Sequence, residues 1–195
     1  MRVLVVYAHP SAESFAAALR DTAIAALDGA GHEVRLADLY AEGFDPVMSA
    51  GERRSYHDEG RNEEPVAGEL ARLRWAEALV FVYPTWWYGL PAILKGWLDR
   101  VLVPHATFAL PEPGKPIRPR LTNIRRLVVL SSCGAPWWWM MLVGAPGRRT
   151  LTRGVRAICH PACRTRWLAH YRMDSSTDRS RRAFLARVER RLARL

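Results

Sequence analysis

Five short apolar runs, each separated from the next by a stretch of helical periodicity, constrain this chain more than any other feature of its 195 residues. They fall at 3–7, 33–36, 78–82, 127–131 and, less regularly, 165–169. Runs of this length rich in Val and Leu read as strands buried on both faces. Strands that alternate with helices pair in parallel, because each crossover lays a helix over a sheet face. Residues 14–27 read as the first helix, with Ser14 at its cap, apolar Phe15, Ala18, Leu19, Ala23 and Leu27, and a Gly29/Gly31 stop. Further helices are expected around 69–77, 90–102, 151–158 and 178–195. Two stretches break the alternation. Residues 40–66 are polar, with Gly43, Pro46, Gly51, Gly60 and Pro65, and read as an excursion carrying short helices. Residues 104–123 carry Pro104, Pro111, Pro113, Pro116 and Pro119, which excludes a long regular element. No repeat, low-complexity tract or linker divides the chain, so residues 1–195 are expected to form a single α/β domain.

Bulk properties narrow the function classes. No uninterrupted apolar stretch reaches the roughly 18–20 residues needed to span a bilayer, so no transmembrane segment is expected. Three cysteines, Cys133, Cys159 and Cys163, do not make a disulfide framework and fit a reducing cytoplasm. The net charge of +10 is divided unevenly, with residues 1–113 at −6 and 114–195 at +16. Paired arginines scattered over helix and loop patterns, without zinc-finger spacing or an RNA-binding aromatic signature, argue against nucleic acid as the partner. They leave a solvated arginine-rich surface or an anionic-ligand or partner surface.

In an open parallel sheet, ligands bind beyond the carboxyl ends of the strands where the strand order reverses. The residues following each strand therefore carry the functional argument. After the first comes Ala8-His9-Pro10, then Ser14-Phe15-Ala16 opening a helix, a place where free N–H groups and the helix dipole suit phosphate. Ser14 can donate a hydroxyl there and His9 an N–H; alternatively Ser14 is only a helix cap and His9 a turn histidine. No Gly-x-Gly-x-x-Gly or Walker-type loop is present. After the third strand comes Tyr83-Pro84-Thr85-Trp86-Trp87-Tyr88-Gly89-Leu90-Pro91, an aromatic loop able to offer apolar walls and backbone N–H groups to a flat heteroaromatic ring. The alternative is that these aromatics are core. After the fourth come Ser132, Cys133, Gly134 and Ala135, small enough for close backbone approach, then a Trp/Met cluster at 137–141 that reads as a wall or a dimer surface. Three consecutive tryptophans cannot all face one core.

The segment from Phe81 through Pro91 and on through Lys95-Gly96-Trp97 to Val101 resembles, almost residue for residue, the signature of the NAD(P)H:quinone oxidoreductase family of the flavodoxin-like superfamily. The turn at His9 and Ser14-Phe15 is a second match. The resemblance covers roughly residues 1–158, and the rest more loosely. It implies a flavodoxin-like three-layer sandwich, a five-stranded parallel sheet of order 2-1-3-4-5 with helices on both faces. It also implies a tightly bound flavin, FAD or FMN, with NADPH or NADH as hydride donor, a quinone-like acceptor served in a ping-pong cycle, and a homodimer. Carried over, His9, Ser14, Phe15 and Ala16 would hold the flavin phosphate and ribityl groups. Pro84, Thr85, Trp86, Trp87 and Tyr88 would line the ring, Ser132, Cys133, Gly134 and Ala135 would border its other edge, and Arg181 stands where FAD-using relatives contact adenosine.

Two departures stand out. Where relatives carry a Thr-Thr-Gly-Gly-like loop, this chain has Ser132-Cys133-Gly134-Ala135, and where they place a tyrosine and then a histidine it has Met140. Charge on a reduced flavin would then fall to backbone N–H groups, Tyr88, Arg148 or Arg149, and Tyr88 and Trp87 are the catalytic candidates. A flavin-bound regulatory subunit of an ion-efflux system and a flavodoxin-like electron carrier are the competing readings. Cys159-His160-Pro161-Ala162-Cys163 supplies one ligand cluster and no second pair, so no metal site is expected.

Overall fold

The computed structural model describes residues 1–110 and 116–195. Five parallel strands form one sheet: β1 (Arg2–Tyr7), β2 (Glu33–Asp38), β3 (Ala78–Pro84), β6 (Arg126–Ser132) and β7 (Arg164–His170), in the order β2-β1-β3-β6-β7. This is the expected 2-1-3-4-5 order once β4 (Phe108–Ala109) and β5 (Arg118–Pro119), a two-residue antiparallel pair outside the sheet, are set aside. The pair lies in the proline-rich stretch; Pro111 and Pro113 fall outside the described residues.

The helices are α1 (Phe15–Gly29), α2 (Ala50–Arg54), α3 (Ala67–Trp75), α4 (Ala92–Val101), α5 (Trp137–Leu142), α6 (Pro146–Arg149) and α7 (Asp178–Leu192), with a π-helical stretch at Thr150–Val155. Four of the five expected helical regions hold an α-helix, the one at 151–158 falls on the π-helical stretch instead, and α2 sits in the polar excursion. Alternate residues of the central strands point to opposite layers. Val3, Val5, Val80, Val82, Val128 and Leu130 pack on α1 and α7 through Leu19, Ala23, Phe184 and Val188. Leu4, Val6, Leu79, Phe81, Leu127 and Val129 pack against Leu70 and Leu73 of α3 and Leu94 and Trp97 of α4.

Burial on both faces holds for the central strands, with β3 buried at all seven positions, but not for the two edges. β2 alternates exposed and covered positions, and β7 is exposed from Arg164 to Arg166. Both are edge strands, each with a neighbour on one side only. Helix α4 approaches the 40–66 excursion so closely that a Cβ on Gly96 would lie 2.2 Å from the Pro46 carbonyl oxygen, which explains a glycine inside a helix. Among the described residues no helix is long and apolar enough to cross a membrane.

Candidate functional site

The strand order reverses between β1 and β3, and a cleft of about 250 Å³ opens there at the carboxyl ends of the strands. Its first wall is the exit of β1. The Ser14 hydroxyl donates to the Ser11 carbonyl at 2.9 Å and accepts from the Ala17 N–H at 3.1 Å, so the serine is engaged within its own turn as an N-cap. The amides of Phe15 and Ala16 lie in the first turn of α1, where no intrahelical acceptor precedes them. That turn carries no acidic residue, leaving its positive dipole end unneutralised. His9 accepts the Ser11 N–H on Nδ1 at 3.0 Å, which turns its other ring nitrogen outward, and its ring lies 5.9 Å from that of Trp86.

The second wall is the loop after β3. Its root is tied to β6: the Thr85 N–H donates to the Ser132 carbonyl at 2.7 Å, and the Thr85 and Ser131 hydroxyls lie 2.9 Å apart. Beyond it, the Gly89 N–H donates to the Trp86 carbonyl at 2.9 Å, while Trp87 (φ 45°) and Tyr88 (φ 62°) both occupy the left-handed region. Positive φ at both central positions makes residues 86–89 a type I′ turn, which normally selects Asn and Gly. Two bulky residues there store on the order of 1–3 kcal/mol each. Surrounding structure holds the strain. The Trp139 indole N–H donates to the Tyr88 hydroxyl at 3.0 Å, and Gly147 packs so tightly that its Cβ would lie 3.1 Å from the Gly89 carbonyl carbon. The two central amides take no part in the turn's own hydrogen bond and remain available along the loop.

The third wall follows β6 and is braced from β7. Cys133 donates its N–H to the His170 carbonyl at 2.8 Å and accepts from the Met173 N–H at 2.9 Å. Burial pushes the Cys133 thiol up, with a further push from Asp174, so it stands as a neutral thiol rather than a nucleophile. Gly134 leaves room for the Asp174 carboxylate, whose Oδ2 a Cβ would meet at 2.5 Å and displace. Met173 and Asp174 complete the cleft. A second hollow of about 470 Å³ shares Ser14, Phe15 and Met173 with the first and continues it towards Arg181 and Arg182 on α7. Arg181 donates to the Ser176 hydroxyl at 2.9 Å and pairs with Asp178. Beneath, the His170 ring lies 5.4 Å from both Phe15 and Phe184; burial and then Arg181 push its pKa down.

The structure thus brings His9, Ser14, Phe15, Ala16, Pro84, Thr85, Trp86, Ser132, Cys133 and Gly134 into one cleft. Trp87 and Tyr88 stand at the tip of the turn and Ala135 just past the third wall, none of them lining it, while Arg181 lies in the adjoining hollow. Arg148 and Arg149 do not line the cleft either. Met173 and Asp174 were missed, although reading the exit of the fifth strand as closely as the other four would have reached them. Among the described residues no group of three or more His, Cys, Asp or Glu is placed to hold a metal ion.

Large apolar side chains are exposed on the segments that follow β3 and β6. Trp87 is 93% exposed, and Trp86, Trp137, Trp138, Trp139, Leu142 and Val143 are exposed as well.

A family sequence model described as the flavodoxin-like fold matches residues 1–194. The chain belongs to the flavodoxin-like fold family. Among flavodoxin-like proteins of known structure, it is similar to an NAD(P)H:quinone oxidoreductase from Methanothermobacter marburgensis, at 28% identity over 99% of this chain and 98% of that one, with a TM-score of 0.83. It is also similar to Smu.1420 from Streptococcus mutans UA159, at 27% identity over the whole of both chains, with a TM-score of 0.86. The NAD(P)H dehydrogenase [quinone] 1 of Rattus norvegicus is 37% identical over 118 residues, 52% of this chain and 43% of that protein. The match therefore spans about half the length of such curated relatives.

Proposed function

We propose that this chain is a flavin-dependent NAD(P)H dehydrogenase that reduces quinone-like acceptors, and that its flavin is FAD. The observation that carries the reading is the juxtaposition, at one topological switch point, of an unneutralised helix N-terminus and a strained aromatic turn. The donor set fits a flavin: first-turn amides for phosphate, a loop with free amides along a ring edge, and small residues where a plane must approach backbone. The adjoining hollow, lined by Arg181 and Arg182 together with Glu13 and Asp178, gives room for the adenylate half, which favours FAD over FMN. The quinone oxidoreductase of M. marburgensis, similar along nearly its whole length, supports the acceptor class.

When bound, the flavin supplies two-electron chemistry that protein side chains lack. The chain's own contribution is placement. Phe15 and Ala16 amides, with Ser14 fixing the turn, would hold phosphate. Thr85, locked to Ser132 and Ser131, would position the ring. Pro84 and Trp86 would form one wall and Ser132, Cys133 and Gly134 the other edge. The amides and phenol at the 87–88 tip, just outside the cleft and with Trp139 orienting the Tyr88 hydroxyl, would be the donors for charge on the ring. The open side would receive the nicotinamide of NADH or NADPH and then the acceptor. We further propose that a second copy covers the exposed tryptophan surface, since apolar patches of this kind mark interaction sites. The match over residues 1–194 supports a single domain, and three unpaired cysteines support a cytoplasmic setting.

Mass spectrometry of the denatured, flavin-reconstituted protein, with NADH and NADPH oxidation measured against a simple benzoquinone, tests this. FAD retention with rapid quinone-dependent turnover is expected. Failure to bind any flavin overturns the reading, FMN retention overturns only the adenylate assignment, and flavin binding without turnover favours the regulatory alternative.

A further inference from the structure

Away from the cleft, at the amino-terminal end of the sheet, lies a groove of about 590 Å³ lined by Arg166, Arg187, Arg190, Arg191 and Arg194. We propose that it is a binding site for a compact oligophosphate, an anion carrying two or more adjacent phosphate groups. Arg187, Arg190 and Arg191 fall at i, i+3 and i+4 of α7, beside its buried stripe of Phe184, Val188 and Leu192, and Arg194 follows just past the helix end. Arg166 completes the wall from β7, and its guanidinium donates to the Arg191 carbonyl at 3.2 Å, joining strand to helix end. Arg187, the nearest groove residue, lies six positions beyond Arg181, about 9 Å along the helix, and the groove shares no lining residue with the adenylate hollow.

Convergence of charge sets the groove apart, since five guanidinium groups and no carboxylate line it. Arg2, Arg20, Arg35, Arg72, Arg74, Arg100 and Arg181 each meet a carboxylate within 4 Å. None of the five groove arginines has a carboxylate partner among the described residues. Two further arginines, Arg126 and Arg164, sit in register at the start of the neighbouring strands β6 and β7. Guanidinium forks match phosphate oxygens in pairs and keep their charge at any physiological pH.

Shape and lining select a compact ligand. The lining holds no aromatic residue on which a nucleobase could stack, which disfavours single-stranded nucleic acid. No large apolar residue is exposed on β7 or α7 to anchor the face in a membrane, the exposed tryptophans being near the cleft instead.

The test is titration of the flavin-loaded protein with inorganic tripolyphosphate, followed by calorimetry, against orthophosphate and sodium chloride at matched ionic strength. Saturable binding at one site per chain is expected, tighter than orthophosphate and weakening with salt. Arg190→Gln/Arg194→Gln should weaken it by about tenfold, as loss of two charge-assisted contacts implies. Arg54→Gln/Arg61→Gln, which removes the same charge elsewhere, should leave it unchanged, and both pairs should retain their circular dichroism and flavin content. Equal affinity in the two double variants, or no saturable binding, would overturn the site. A single-stranded oligonucleotide or an anionic phospholipid vesicle binding more tightly than tripolyphosphate through the same arginines would overturn the compact-ligand assignment.

Discussion

Replacing Trp87 by alanine and, separately, by glycine isolates what the strained turn does. The indole is 93% exposed, so removing it forfeits almost no buried surface, and the alanine variant should stay within about 0.5 kcal/mol of the parent. Alanine keeps a Cβ at φ 45° and therefore keeps the strain. Glycine releases it. A left-handed L-residue costs about 1–2 kcal/mol, and the greater freedom of an unfolded glycine takes back about 0.5–1 kcal/mol. A net gain of up to about 1.5 kcal/mol over alanine should remain. For a chain of this size that is a rise in Tm of up to about 6 °C. Turnover with a benzoquinone should fall in both variants to a similar extent, because both lack the indole beside the open face. Unfolding is best followed by far-UV circular dichroism at two protein concentrations, since a partner seated on Trp87 makes apparent stability concentration-dependent. An alanine variant that loses about 3–5 kcal/mol, as a core tryptophan would, or a glycine variant less stable than alanine, would refute the turn as described.

Gly96→Ala should be destabilising by about 1 kcal/mol or more despite alanine's helix preference, because the new methyl meets Pro46 backbone rather than a movable side chain; a raised urea midpoint would contradict the close approach. Ser14→Asp should keep the helix cap, and with it the melting temperature, while weakening flavin binding at least about tenfold through like charge at the phosphate position; unchanged affinity in a flavin titration would put the phosphate elsewhere. Glu52 is partly buried, which alone would raise its pKa, but the Ser49 N–H, Arg100 and the Ser49 hydroxyl hold the carboxyl below its ordinary value. Its contribution is therefore present above the unfolded carboxylate range and lost as pH falls through the folded value. Glu52→Gln should be less stable than the parent at pH 7, and the gap should close on acidification; a gap constant from pH 7 to pH 3 would remove the carboxylate from the account.

The parallel sheet was legible because its three central strands are near-continuous apolar runs, and the order followed from the resemblance at 81–101. The edge strands were read as more buried than they are, since a period-2 pattern over six residues is easily lost in charged neighbours such as Glu33, Arg35, Arg164 and Arg166. Ten cleft residues were legible because each follows a strand. Trp86, Trp87 and Tyr88 were legible as a loop but not as a turn, because composition argues against positive φ at two bulky residues and only tertiary contacts from Trp139 and Gly147 impose it. Asp174 was illegible as a wall residue, since what brings its turn to the cleft is a tertiary hydrogen bond, from the Met173 N–H to the Cys133 carbonyl forty positions earlier.

The crowding of tryptophan at one end also sets what light emission from this molecule reports. Of eight tryptophans, Trp86, Trp87, Trp137, Trp138 and Trp139 are exposed, whereas Trp97 is enclosed. Most of the indole fluorescence therefore already comes from a watery environment in the native state, and denaturation should redden it only slightly. Anything that covers that end, whether a yellow ring that absorbs the emitted energy or a second copy that excludes water, should dim the signal or shift it to the blue. For this chain the emission spectrum is a poor thermometer of folding and a sensitive gauge of occupancy.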